Sequence, residues 1–168
     1  MAAEFEIRPA RVEDVPALAR VHVESWRETY RGLMPDAVLD DPGFVPRRER
    51  FWTAALGDPR FAEHAVALAS LGGEVVGVAM SGPPRPEDGE WDRQLFVLYA
   101  AAAVHGSGIG AALLDAVLPG GGSAVLWVAD PNPRAQAFYR KHGFEFDGAG
   151  KVEDGVRELR MVRASTGA

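Results

Sequence analysis

With 168 residues, 47% hydrophobic and 25% charged, the chain has the length and composition of an ordinary soluble unit, enough for one substantial core and too little for two. A formal net charge of −6 argues against a nucleic-acid partner and suits a cationic one. The absence of cysteine excludes disulfides, thiolate zinc sites and a cysteine nucleophile, and it fits a reducing compartment.

The opening Met-Ala-Ala-Glu-Phe-Glu-Ile-Arg-Pro has no basic region followed by an apolar stretch, so it does not read as a signal peptide. The longest apolar run falls short of the ~20 residues a membrane helix needs, and the expected location is the cytoplasm. Phe5 to Arg8 reads as a short strand ended by Pro9. Val12, Val15, Ala19, Val23, Trp26 and Tyr30 recur at helical spacing, with Glu13 and Asp14 favouring the first turn and Gly32 closing the helix. Short helices are expected over Pro35 to Leu39 and over Pro46 to Leu56, the latter with Phe51, Trp52 and Leu56 inward. Ala65 to Ser70 and Val75 to Met80 read as strands joined by hairpin-turn chemistry at Leu71-Gly72-Gly73. A proline-rich acidic loop, Ser81 to Gly89, leads to a strand over Leu95 to Ala101. A helix follows over Gly108 to Leu118, then a loop over Pro119 to Ser123 and a strand over Ala124 to Val128. Pro133 to His142 is expected to be helical, and Phe144 to Asp147 and Glu158 to Val162 to be closing strands around a glycine-rich turn. The order β-α-α-α-β-β-β-α-β-α-β-β is that of an α/β chain with a mixed sheet covered by helices. With no repeat or boundary, residues 1–168 read as a single domain. His22, His64, His105 and His142 show no metal-ligand spacing.

The stretch with most chemical content is His105-Gly106-Ser107-Gly108-Ile109-Gly110. The apolar run Leu95 to Val104 feeds into three alternating glycines that open a helix. A strand turning through glycines into a helix leaves N–H groups unpaired at the positive end of the helix dipole, which makes an anion site and most naturally a phosphate site. A P-loop is ruled out, because Ala111 and Ala112 stand where lysine and Ser/Thr are required. The spacing Gly106, Gly108, Ala111, with Asp130 ending the next strand, matches a dinucleotide fingerprint. That reading, an NAD-binding oxidoreductase, places the motif late in the chain, with a single strand-helix-strand unit after it.

A third reading uses more of the sequence. Leu98-Tyr99-Ala100-Ala101-Ala102, then Ala103-Val104, then His105-Gly106-Ser107-Gly108-Ile109-Gly110 follows the pattern Leu-Tyr-Val-x-Pro, two residues, Gln/Arg-x-x-Gly-x-Gly/Ala. Downstream, Asn132 to Phe144 is a full match to Asn-x-x-Ala-x-x-Phe-Tyr-x-x-x-Gly-Phe, and Trp26 to Pro35 is similar to a common first helix. On these motifs the chain resembles the GNAT superfamily of acetyl-CoA-dependent N-acetyltransferases over almost its whole length. It departs at His105, where Gln or Arg is usual, and at Ala102, where proline is usual. The resemblance implies a GNAT-like acyl-CoA N-acyltransferase fold: a largely antiparallel sheet, splayed between two central strands and flanked by helices.

The resemblance also implies roles. His105, Gly106, Ser107, Gly108, Ile109 and Gly110 would hold the pyrophosphate of coenzyme A through main-chain N–H groups. Leu98, Tyr99, Ala100 and Ala101 would offer backbone to the pantetheine arm. Asn132, a good N-cap ahead of Pro133, would also contact the cofactor. Tyr139 would contact the cofactor and serve as the general acid on the leaving thiolate, its plainer reading being a core tyrosine; a phenol stays protonated where a thiol does not. Phe138 reads as core. The base stays open among Glu90, Asp92 and water, since the usual position is Gln94. Trp26 and Tyr30 read as core residues with a second reading as walls of an acceptor pocket. The expected reaction is direct acetyl transfer in a ternary complex to a primary amine on a small molecule or peptide. No nucleic acid, metal or membrane is expected to take part, and a homodimer is left open. A non-catalytic acyl-CoA-binding module is the main alternative.

Overall fold

The structure is a computed structural model that describes residues 4–166; the reading of the chain's start at residues 1–3 lies outside them. Strands β1 (Phe5–Pro9), β2 (Ala65–Leu71), β3 (Glu74–Gly82), β4 (Arg93–Ala100), β5 (Ala124–Ala129), β6 (Glu145–Glu153) and β7 (Val156–Arg163) form one sheet in the order β1-β2-β3-β4-β5-β7-β6. Helices α1 (Val15–Tyr30), α2 (Asp36–Leu39), α3 (Phe44–Gly57), α4 (Ile109–Val117) and α5 (Pro133–Lys141) accompany it. All neighbouring strands run antiparallel except β4 and β5. The sheet is therefore mixed and largely antiparallel, and it lacks the succession of parallel strands that a dinucleotide fold requires.

Helix α1 starts three residues later than its apolar period suggests. Val12–Asp14 forms a 3-10 turn, in which Asp14 accepts a hydrogen bond from the Arg11 N–H (2.8 Å) and pairs with Arg8 (2.9 Å). Helix α3 begins at Phe44, ahead of Pro46, because a proline in the first turn gives up an N–H that has no helical acceptor anyway. The β2–β3 hairpin turns on Gly72 (φ 60°) and Gly73 (φ 83°), the paired positive angles that two-residue hairpins demand. The last hairpin differs from expectation. Strand β6 continues through Gly148 and Gly150 in a register shift to Glu153, so the expected turn narrows to Asp154-Gly155 (φ 52° and 78°). The glycines supply a bulge, and the Asp-Gly pair supplies the turn.

The sheet is packed on both faces. Helix α4 buries Ile109, Leu113, Leu114 and Val117 on one face, with Leu126, Phe144 and Met161 beneath them. On the other face, Leu18 and Val21 of α1 and Trp52 of α3 pack on Leu68 and Val78; Phe51 and Leu56 are partly buried at that core's margin. Gly77 brings α4 close to the sheet, since a Cβ there would lie 2.8 Å from Leu113 Cδ1.

Two irregularities shape the centre. Strands β4 and β5 pair only at Arg93–Ala124 and Gln94–Val125, whereas β5 stays paired to β7 along its whole length, from Ala124–Arg163 to Ala129–Glu158. Held by β3 on one side and β7 on the other, the two strands diverge beyond Leu95 into a V. In addition, Met80 pairs with Val97 while Ser81 pairs with Leu95, so Phe96 is a bulged residue at the start of the V.

Candidate functional site

A cavity of about 810 Å³ fills the V. Its walls are Leu95 to Ala100 of β4, Leu126 to Ala129 of β5, the head of α4, one face of α5 and the C-terminal turns of α1.

At the head of α4 the chain makes a 3-10 turn at Ala102–Val104 and then adopts left-handed angles at Gly106 (φ 82°) and Gly108 (φ 91°). A side chain is disfavoured at such angles, and here it would also occupy the open cradle, because a Cβ at either glycine meets nothing within 4 Å. The first α4 N–H with a helical acceptor is that of Ala112, bonded to Gly108 O at 3.1 Å, and the N–H groups of Gly106, Gly108, Gly110 and Ala111 have none. Four free donors at the positive end of a helix dipole form an anion cradle. Ser107 and Ile109 are not part of the cavity wall. Ser107 Oγ donates to Val104 O (2.6 Å) and shapes the loop, while Ile109 is buried in the core.

Basic side chains gather at this end: Arg134 and Lys141, with His105 and His142, all line the cavity. His105 Nε2 donates to Ala100 O (2.8 Å), and Arg134 Nη1 donates to His105 Nδ1, so the histidine acts as a strut between the end of β4 and α5. Leu98, Tyr99 and Ala100 line the cavity as expected. Asn132 does so too while capping α5, its Oδ1 accepting from the Ala135 N–H at 3.3 Å with Pro133 in the first turn. Gln136 Nε2 donates to Ala129 O (3.0 Å) and fixes α5 to the end of β5.

The chain's three tyrosines converge on the V, and all three line the cavity. Tyr139 is 9% exposed, packs edge-on against Phe144, and makes no hydrogen bond through its hydroxyl to any described residue. Burial raises its pKa well above the ordinary phenol value, with the nearby Tyr30 adding to the shift. Burial likewise pushes Tyr30 up to about 12, with Glu158 adding to the shift and the adjacent Tyr99 hydroxyl opposing it. Tyr99 is also raised by burial, although its oxygen accepts from Trp26 Nε1 at 2.8 Å. Beneath them His22, 3% exposed, lies 5.1 Å from the Tyr99 ring and accepts from Trp52 Nε1 through Nδ1 (3.2 Å). Desolvation, with the charge of Arg48 behind it, lowers the His22 pKa to about 3.

The carboxylates proposed from sequence as bases do not reach the cavity. Asp92 accepts from the Ser123 N–H (2.8 Å), and its own N–H donates to Ser123 Oγ (2.9 Å), which clips the start of β4 to the start of β5 at the closed end of the V. Glu90 is exposed and is not among the wall residues. Gln94 is 2% exposed and accepts from the Arg85 N–H at 2.9 Å. Phe138, read as core, is only partly buried and lines the cavity against Gly110. Trp26 packs in the aromatic layer, and Tyr30 is both buried and a wall residue. Sequence reasoning missed Ser25, Glu28 and Thr29, which line the cavity from α1; their i, i+3, i+4 spacing was the available signal. It also missed Arg134 and the bulged Phe96. Among the described residues, no group of three His, Cys, Asp or Glu side chains is placed to hold a metal ion, and no helix is long and apolar enough to cross a membrane.

Comparison with known proteins agrees with this architecture. The family model for the acetyltransferase (GNAT) family matches residues 19–144. A probable N-acetyltransferase of Mycobacterium tuberculosis is 31% identical over 152 residues, covering 87% of this chain and 83% of that protein. An uncharacterised N-acetyltransferase of Bacillus subtilis is 30% identical over 144 residues, covering 83% of this chain and 79% of that one. Among solved structures, the PaiA N-acetyltransferase of Thermoplasma acidophilum in complex with coenzyme A superposes with a TM-score of 0.73 at 18% identity, covering 96% of this chain and 99% of that one. With the splayed sheet, the cradle at the head of α4 and these matches together, the chain belongs to the GNAT family of N-acetyltransferases.

Proposed function

We propose that this chain is a cytoplasmic enzyme, one acetyltransferase unit over residues 1–168, that moves an acetyl group from acetyl-CoA directly to a primary amine. The observation that carries the reading is the set of four unpaired N–H groups, on Gly106, Gly108, Gly110 and Ala111, opening onto the V. The open space over Gly106 and Gly108 suits a diphosphate, and the cations Arg134 and Lys141 suit further phosphate charge. When bound, acetyl-CoA supplies a thioester, an acyl group activated toward amines. Leu98, Tyr99 and Ala100, on the side of β4 that β5 has left, offer main-chain groups to the pantetheine arm. Asn132 adds a polar contact beside its capping role.

Tyr139 serves as the acid. Burial keeps its hydroxyl protonated, no described residue claims it, and it faces the cavity, so it can donate to sulfur as the carbon–sulfur bond breaks. An alkylammonium at pH 7 must lose a proton before it attacks, at a cost of about 4–5 kcal/mol for a pKa near 10.4. With Asp92 and Glu90 away from the cavity, water carries that proton out. Direct transfer fits the wall, which contains no cysteine and whose one serine, Ser25, has no hydrogen-bond partner to act as base. Proximity and orientation within the cleft supply most of the rate.

Calorimetric titration of the purified chain with acetyl-CoA, followed by a thiol-release screen over polyamines, aminoglycosides, amino acids and peptide N-termini, tests this. The expected result is binding with release of one thiol per amine consumed. Absence of binding refutes the assignment of the cradle, and tight binding without thiol release from any amine leaves a binding module.

A further inference from the structure

The cavity has two electrical ends. Its loop end carries the four basic side chains described above, whereas its α1 end carries Glu28, the one carboxylate among the residues that line it. The cations beside Glu28 on the helix are engaged elsewhere. Arg27 Nε donates to Leu39 O (2.8 Å), and Arg31 pairs with Asp36 (3.0 Å) and Asp40 (2.9 Å). Glu28 thus has no ion-pair partner among the described residues, and its nearest turn of helix brings Glu24, a like charge, at i−4.

An independent feature lies one turn away on the same face. Ser25 is 5% exposed, it lines the cavity, and its Oγ has no hydrogen-bond partner. A helical serine usually satisfies itself on the carbonyl four residues back, and this one does not. A buried hydroxyl left without a partner in the empty cavity is a group waiting for a ligand. Thr29 lies at i+4 from Ser25 and lines the same wall. The cavity wall also carries apolar side chains, among them Val97, Trp127 and the bulged Phe96.

We infer that Glu28, with Ser25 beneath it, anchors the acceptor's ammonium group, and that the acceptor is a primary amine on an apolar body with no carboxylate beside the nitrogen. The inference rests on the acetyl-transfer reading above. Glu28 attracts the cation to the end of the cavity away from the phosphate cradle, and Ser25 Oγ accepts one of its N–H bonds. An amino acid brings its own carboxylate within a few ångströms of Glu28, and no ion-pair partner of Glu28 offsets that repulsion.

Two probes separate these cases. n-Pentylamine and norleucine differ only by the α-carboxylate. The wild-type chain is expected to acetylate pentylamine with a kcat/KM at least about tenfold above that of norleucine. Glu28→Gln, isosteric and at an exposed helical position where glutamine is well tolerated, is expected to lower pentylamine turnover about tenfold and to bring the two amines within about threefold of each other. Ser25→Ala is expected to raise KM for pentylamine about three- to tenfold with kcat close to wild type. Acetyl-CoA affinity, measured by calorimetry, stays unchanged in both variants. Norleucine turned over as well as pentylamine, a preference unchanged in Glu28→Gln, or turnover of neither amine by a chain that binds acetyl-CoA overturns the inference. A chain that does not bind acetyl-CoA overturns the transfer reading instead.

Discussion

His22 makes stability depend on pH through a group with no part in the chemistry. The imidazole is held neutral at 3% exposure, with its pKa lowered to about 3 by desolvation and then by Arg48. In the unfolded chain it titrates near 6.5. The unfolded state therefore binds more protons anywhere below about pH 6.5, so stability is complete above that value and is lost as pH falls toward 3. Taking the two pKa values at face value, the loss between pH 7.5 and pH 5 is about 2 kcal/mol from this one residue, and it grows to about 4–5 kcal/mol below pH 3. In urea, 2 kcal/mol moves the midpoint by about 1 M for a chain of this size. Many carboxylates also titrate in this range, so the control is His22→Asn, whose Oδ1 can accept the Trp52 indole N–H without ever taking a proton. The variant is expected to be less stable than wild type at pH 7.5 but to lose about 2 kcal/mol less than wild type between pH 7.5 and pH 5. Equal losses in the two proteins would refute the buried, neutral histidine. Because His22 lies against the Tyr99 ring, with centroids 5.1 Å apart, the same acid transition should disturb the cavity floor before the chain unfolds globally.

Three further outcomes follow from the geometry. Tyr139→Phe should lower the thiol-release rate at least about tenfold while acetyl-CoA still binds, and an unchanged rate would remove the acid role. Gly108→Ala places a side chain at φ 91° in open space, so it should cost about 1 kcal/mol of stability through backbone strain alone, read by urea denaturation, and weaken acetyl-CoA binding severalfold by filling the cradle. Gly77→Ala puts a Cβ 2.8 Å from Leu113 Cδ1 and 3.2 Å from Tyr99 O, and should cost about 1–3 kcal/mol in the same assay as α4 is pushed off the sheet.

What was legible in the sequence was what short-range sterics decide. Gly72-Gly73 announced its turn because few residues other than glycine take two positive φ angles in succession, and Gly106 and Gly108 announced the cradle for the same reason. The element order was also readable, since each period is a local property. The last hairpin shows the limit: the expected turn lies between Asp147 and Glu158, but β6 runs on through Gly148 and Gly150, which supply a bulge, and only Asp154-Gly155 turns. The parting of β4 from β5 has no counterpart in the residues between Leu95 and Ala100. It depends on which partner each strand keeps, and β5 keeps β7 throughout. The bulge at Phe96 is equally silent, being a mismatch between two strands and not a property of either one. Asp92 looked available as a base because alternation placed it on a strand face; its engagement with Ser123, 31 residues away, is a tertiary fact.

Net charge, read from composition, pointed to a cationic partner, and for a chain of −6 that inference is sound only as an average over the surface. Inside the cavity the balance is reversed at one end, where Arg134 and Lys141 meet the positive end of the α4 dipole, and a lone Glu28 stands at the other. A ligand pair that is anionic along one partner and cationic on the other enters such a cleft with a fixed polarity. The opening between β4 and β5 thus does two things. It leaves main-chain N–H groups of Gly106, Gly108, Gly110 and Ala111 without partners at one side of the cavity, and it leaves Glu28 at the wall that α1 supplies.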